Sequence, residues 1–136
     1  DEGFVTILVQ PTHITLGEEY LDLRSYVQGL NTINTIKEKN RPFQQLVMGR
    51  PALGGMGDVH PYPQDIDRVA RSLAVDIDQA AKTDSALVYI GHGNDFFPSG
   101  GAYLQFADLM NRLFPKVRDY IGTVEGFPDF EHVLRQ

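Results

Sequence analysis

Two residues stand out for the chemistry they could do together. His92 lies between glycines in Gly91-His92-Gly93, and Glu125 stands beside a glycine in Gly122-Thr123-Val124-Glu125-Gly126. Neutral imidazole is both a ready ligand for a divalent ion and a proton acceptor near neutral pH. A carboxylate completes an N/O donor set of the kind that first-row divalent metals accept. Glycine on either side of His92 removes bulk and lets the backbone turn, which would expose the ring to a ligand. Four further residues have functional readings beside ordinary ones. His13, after Pro11-Thr12, is a site histidine or a satisfied strand-end histidine. Arg50, in Gly49-Arg50-Pro51, grips a ligand carboxylate with its planar fork or pairs with a surface acid. Phe96 and Phe97 follow the glycine-histidine turn and either cover a flat, apolar ligand or pack on a neighbouring helix. His60 and His132 read as solvent histidines.

The elements that must hold these residues are legible as apolar runs. Residues 4–10 (FVTILVQ), 45–48 (QLVM), 86–90 (ALVYI) and 117–124 (VRDYIGTV) read as strands, and the nearly continuous apolar character of the first and third predicts burial on both faces. Helical periods lie between them: Tyr20, Leu23, Val27 and Leu30; then a stripe from Ile66 to Ala81 opening at Asp65; then Tyr103 to Phe114, stopped by Pro115. Residues 31–41 read as a frayed helix end and a polar connector, and 51–63 as a long Gly- and Pro-rich loop. A last helix is expected around DFEHVL. Alternation of this kind predicts an α/β fold, a four-stranded parallel sheet flanked by helices in one unit spanning residues 1–136. Ligands of such sheets bind beyond the carboxyl ends of the strands, where His13, Arg50, His92 and Glu125 all fall.

Composition narrows the function. The chain has 136 residues, a net charge of −6, a 42% hydrophobic fraction and no cysteine. A single sizeable core is expected, and disulfides, thiolate metal sites and cysteine nucleophiles are excluded. The acidic balance with no basic cluster argues against nucleic acid as a partner. No apolar run reaches the ~18 residues of a membrane span, so no membrane partner is expected. Asp1-Glu2-Gly3 is unlike the start of a signal peptide, and no initiator methionine is present. The location expected is cytoplasmic, with the periplasm left open. Gly91-His92-Gly93 lacks the third glycine of a dinucleotide fingerprint, GGMG lacks the GK[ST] of a P-loop, and no GxSxG elbow occurs.

Five segments in order, QPTHITLGEEY, MGRPAL, YIGHGN, AYLQ and IGTVEGFPDFEHVL, resemble the anaerobic sirohydrochlorin cobaltochelatases of the ferrochelatase-like class II chelatase superfamily. The resemblance implies a chelatase, a lyase of cobalamin and tetrapyrrole biosynthesis, with a flavodoxin-like lobe and a cleft between two such lobes. His92 matches the family's metal-binding histidine and Glu125 the acid that reaches the same ion. His13 matches a histidine that faces the tetrapyrrole or, in some relatives, binds haem. Arg50, Phe96 and Phe97 are then tetrapyrrole-binding candidates. The metal substrate implied is Co²⁺, with Fe²⁺ or Ni²⁺ as alternatives. The family's longer members carry a strand-helix section before the matching part and a second metal-site histidine after it, so the chain resembles their middle, and residues 54–63 look like an insertion. That likeness leads us to expect self-association or a second polypeptide piece completing the cleft. The alternative is a non-catalytic tetrapyrrole- or metal-binding module, or a fragment without the second histidine.

Overall fold

Strands and helices follow one another along the chain, and the strands pair in parallel two by two. The computed structural model describes residues 3–55, 59–82 and 84–135. The order is β1 (Thr6–Val9), α1 (Glu18–Asn31), a 3₁₀ turn (Glu38–Asn40), β2 (Gln45–Met48), α2 (Tyr62–Ser72), α3 (Ala74–Ala80), β3 (Ala86–Gly93), α4 (Gly100–Leu113), β4 (Arg118–Glu125) and α5 (Phe130–Val133). The α/β class and parallel pairing are as expected. The single four-stranded sheet is not: β1 pairs with β2 and β3 with β4, in two separate two-stranded sheets.

This division corrects a second expectation. In β1 and β3 the apolar runs are not covered on both faces: Ile7, Leu8, Val88 and Ile90 are exposed, as are Val47 and Val124 on their partner strands. Continuous apolar character records a strand's affinity for cover and does not supply the cover.

The main core lies under the second sheet. Ile66 and Ala70 of α2, Ile77 of α3, and Tyr103, Phe106 and Met110 of α4 close over Val117 and Ile121. The stripe from Ile66 to Ala81 is therefore a core face, but it is carried by two helices rather than one. The Ser72 hydroxyl donates to the Val69 carbonyl at 2.7 Å, and the Leu73 amide turns to Ala70 three residues back. This local bonding competes with the helical ladder and breaks it at Leu73. The first of these helices opens at Tyr62 rather than Asp65, because Pro63 fits the first turn, where its missing N–H is no loss. Of the loop expected over 51–63, residues 56–58 lie outside the described residues, as do Asp1 and Glu2 at the amino end.

In the first half, Tyr20 and Val27 of α1 bury against β2, where Leu46 is also buried. Asn31 is not frayed. Its amide donates to the Leu46 carbonyl at 2.9 Å and accepts from the Leu46 N–H at 2.8 Å, standing in for a neighbouring strand. In the second half a buried carboxylate is poorly satisfied among the described residues. Asp119 of β4 is buried, and neither carboxylate oxygen has a well-formed hydrogen bond among the described residues. Burial holds its carboxyl above the ordinary range, and the adjacent Tyr89 phenol only partly offsets this. Tyr89 is itself pushed up to about 12 by burial and by Asp119.

Candidate functional site

The strands deliver His92 and Glu125 to one place. Both are strand residues rather than turn residues, since β3 runs through Gly93 and β4 through Glu125. Gly93 pairs with Glu125 in the ladder. Regular alternation along paired strands would send side chains 92 and 125 to opposite faces. Positive φ angles at Gly93 (80°) and Gly126 (72°) break the alternation at the strand ends. His92 Nδ1 then stands 3.9 Å from Glu125 Oε2, with side chains 74% and 50% exposed. Nδ1 is also 3.4 Å from the Gly93 carbonyl. An imidazole and a carboxylate this close, both open to solvent, can share one divalent ion and leave several coordination positions free. Among the described residues no group of three or more His, Asp and Glu side chains is placed to hold a metal, so these two donors form a loose site rather than a cage.

His13 reaches the same neighbourhood from the first half. A cavity of about 330 Å³ has His13 and Thr12 on one wall and His92, Asn94 and Tyr103 on the other. The His13 ring meets Tyr20 edge to face at 6.0 Å, and its Nδ1 is buried without a hydrogen-bond partner among the described residues. The two halves meet along a second, apolar cavity of about 230 Å³ between Ile14, Leu53, Leu73, Tyr89, Tyr103 and Phe106.

The remaining candidates are placed elsewhere. Arg50 is committed to a buried partner: its Nε and Nη2 donate to Asp65 at 2.8 and 2.9 Å, forming a bidentate pair with a carboxylate only 8% exposed. The acid is thus neither at the surface nor a ligand's. Arg68 also reaches Asp65 at 3.3 Å, and these cations hold its carboxyl below the ordinary range against the effect of burial. His60 is not a solvent histidine either, since its Nε2 lies 3.4 Å from the same carboxylate. His132 is exposed on α5, as expected. Phe96 is exposed, whereas Phe97 turns into a small cavity with Leu16, Leu53 and Tyr62.

Sequence reasoning missed three contributors. Asn94 accepts from the amides of Phe96 and Phe97 at 2.8 and 2.9 Å, a side-chain-capped turn that shapes the segment after β3. An asparagine at a strand end was a usable signal. Glu19 and Tyr103 line the cavity from helices, and nothing in their periodicity distinguishes them from helix-face residues.

An α/β chain with parallel strand pairs, whose histidine and glutamate meet at the carboxyl ends of β3 and β4, has the architecture expected of a chelatase lobe. The chain belongs to the cobalt chelatase family CbiK, whose model matches residues 1–136. It is 31% identical over 133 residues to sirohydrochlorin cobaltochelatase CbiKC of Nitratidesulfovibrio vulgaris strain Hildenborough. That match takes in 98% of this chain and 41% of the relative, so the chain spans about two-fifths of the length of the curated protein it resembles.

Proposed function

We propose that this chain supplies the metal-delivering side of a chelatase centre that inserts Co²⁺ into a tetrapyrrole of the sirohydrochlorin type. The observation that carries the reading is the 3.9 Å approach of His92 and Glu125 at paired strand ends. Family membership and the activity named for the N. vulgaris relative support the choice of metal and ring. Insertion replaces two pyrrole N–H protons by one divalent ion and releases both protons. His92 and Glu125 hold the incoming ion weakly, as exposed two-donor sites do, so ring nitrogens can displace them in turn. Each displaced donor becomes a base next to the ring, so the groups that surrender the ion can take the protons. His13 faces the same cavity and positions the macrocycle, and Phe96 offers it an exposed aromatic face. Fe²⁺ and Ni²⁺ suit the same donors. We further infer that the working unit has a second wall, supplied by another copy or another polypeptide segment, since a ring held on one face cannot be bent.

Cobalt titration followed by visible absorption tests the assignment. A d–d band is expected for the unmodified chain, with affinity reduced at least tenfold in both His92→Ala and Glu125→Ala. Equal titrations in all three proteins would overturn it. Size-exclusion chromatography with light scattering tests the second wall: a monomer that turns over sirohydrochlorin and Co²⁺ unaided would contradict it.

A further inference from the structure

His13 is held in place by a segment distant in sequence. Its carbonyl accepts from the Ala52 amide at 2.9 Å, and the Ile14 carbonyl accepts from the Leu53 amide at 2.8 Å. The segment after β2 is thus a short strap bonded to the stretch that carries the imidazole to the cavity wall. Tyr20, edge-on to the same imidazole, donates its hydroxyl to the Gly49 carbonyl at 3.3 Å, one residue before the strap. The strap itself is fastened to the other half of the chain. At its start Arg50 grips Asp65 of α2 through the bidentate bond. In its middle the buried Leu53 belongs to the core under the second sheet. At its end the Gly54 amide closes a turn onto the Pro51 carbonyl at 3.0 Å. Gly54 has φ 73° and lies so close to α2 that a β-carbon there would meet Tyr62 and Asp65.

We infer that Asp65, acting through Arg50, is a positioning residue for His13. The pair joins the strap to α2, which packs on α4 and so on the half that carries His92. It therefore sets how the His13 wall stands against the His92 wall across the cavity of about 330 Å³. A two-pronged bond fixes the guanidinium in direction as well as distance, which a single hydrogen bond does not. Arg68 at 3.3 Å and His60 at 3.4 Å flank the same buried carboxylate and keep it from following the arginine. The consequence for the ring rests on the chelatase reading. With His13 displaced the macrocycle is gripped less well, while the ion site, built on β3 and β4, keeps both donors.

The test is NMR of the histidine rings in the unmodified chain, Arg50→Gln, Asp65→Asn and Arg50→Lys, with Co²⁺ and sirohydrochlorin titrations of each. Arg50→Gln and Asp65→Asn break the pair from opposite sides, and both are expected to shift the His13 ring signals. Arg50→Lys keeps the charge and loses the fork, so it should shift them less. Exchange of the Ala52 and Leu53 amides should quicken about tenfold in the first two variants. Their His92 signals and Co²⁺ affinity should match the unmodified chain, whereas sirohydrochlorin should bind about tenfold more weakly. His13 signals that stay put in the folded variants overturn the inference. So do His13 and His92 signals that move together, which general loosening would produce, and a displaced His13 with sirohydrochlorin affinity unchanged. If Arg50→Gln does not fold, Asp65→Asn and Arg50→Lys carry the same comparison. An unmodified chain that binds neither Co²⁺ nor sirohydrochlorin would sink the chelatase reading, and the His13 shifts would still decide this one.

Discussion

Gly93 lies opposite Glu125 in the β3–β4 ladder at φ 80°, and a β-carbon on it would overlap the Glu125 carbonyl oxygen. The pairing that brings His92 to Glu125 therefore requires glycine next to the histidine, for close approach as well as for its left-handed backbone. Gly93→Ala is expected to cost about 2 kcal/mol or more and to weaken Co²⁺ binding, although neither metal donor is changed. Urea denaturation and cobalt titration of the same variant check both parts. Unchanged cobalt affinity in a destabilised protein would show that the strand-end pairing does not position the donors.

Asn31→Ala removes both hydrogen bonds to Leu46 and leaves a backbone N–H and C=O without their partner. The expected loss is about 1–3 kcal/mol, read from the midpoint of urea unfolding. Leu46 amide exchange should quicken in the same variant.

Asp119→Asn should stabilise the chain at neutral pH, because the buried carboxylate lacks a well-formed hydrogen bond. The sign follows from its raised pKa: the folded state binds the proton more readily, so between 3.8 and the raised value stability falls as pH rises. Thermal unfolding across that range should show this fall in the unmodified chain and its absence in Asp119→Asn.

Asp65 has the opposite slope. Its carboxyl is held below 3.8, so its contribution is fully present above that pH and is lost as pH falls through the folded value. Arg50→Ala should cost about 1–3 kcal/mol at pH 7 by removing the charged hydrogen bonds to a buried carboxylate. Acid titration of stability should show a shallower loss below pH 4 in that variant.

Much of the local structure could be read from residue types, and its assembly could not. The strands at 45–48 and 86–90, the three helical stripes and the short helix at DFEHVL come from periodicity, a local property. Whether Leu8 and Ile90 are covered depends on what packs over them, which a run of apolar residues does not encode. His92 and Glu125 were accessible because glycines beside a histidine and an acid are unusual, and strand order places both at one edge. Arg50 was ambiguous for a physical reason: an arginine fork suits a ligand carboxylate and Asp65 equally, and only the fold puts Asp65 in reach. His60 was misjudged because its loop gave no hint of the carboxylate it would meet.

The separation of the strands into two ladders bears on how the cavity works. Among the described residues no backbone hydrogen bond ties one ladder to the other. The wall carrying His13 and the wall carrying His92 are joined instead by side chains: apolar Ile14, Leu53 and Tyr103 line the space between them, and the Arg50–Asp65 pair ties the segment after β2 to α2. Each jaw is stiff and the joint between them is greased, so the gap can widen or narrow without rupturing a single ladder bond. For a rigid flat guest that must enter, buckle and depart, the opening is adjustable at the cost of side-chain repacking, within the reach that the Arg50–Asp65 pair allows.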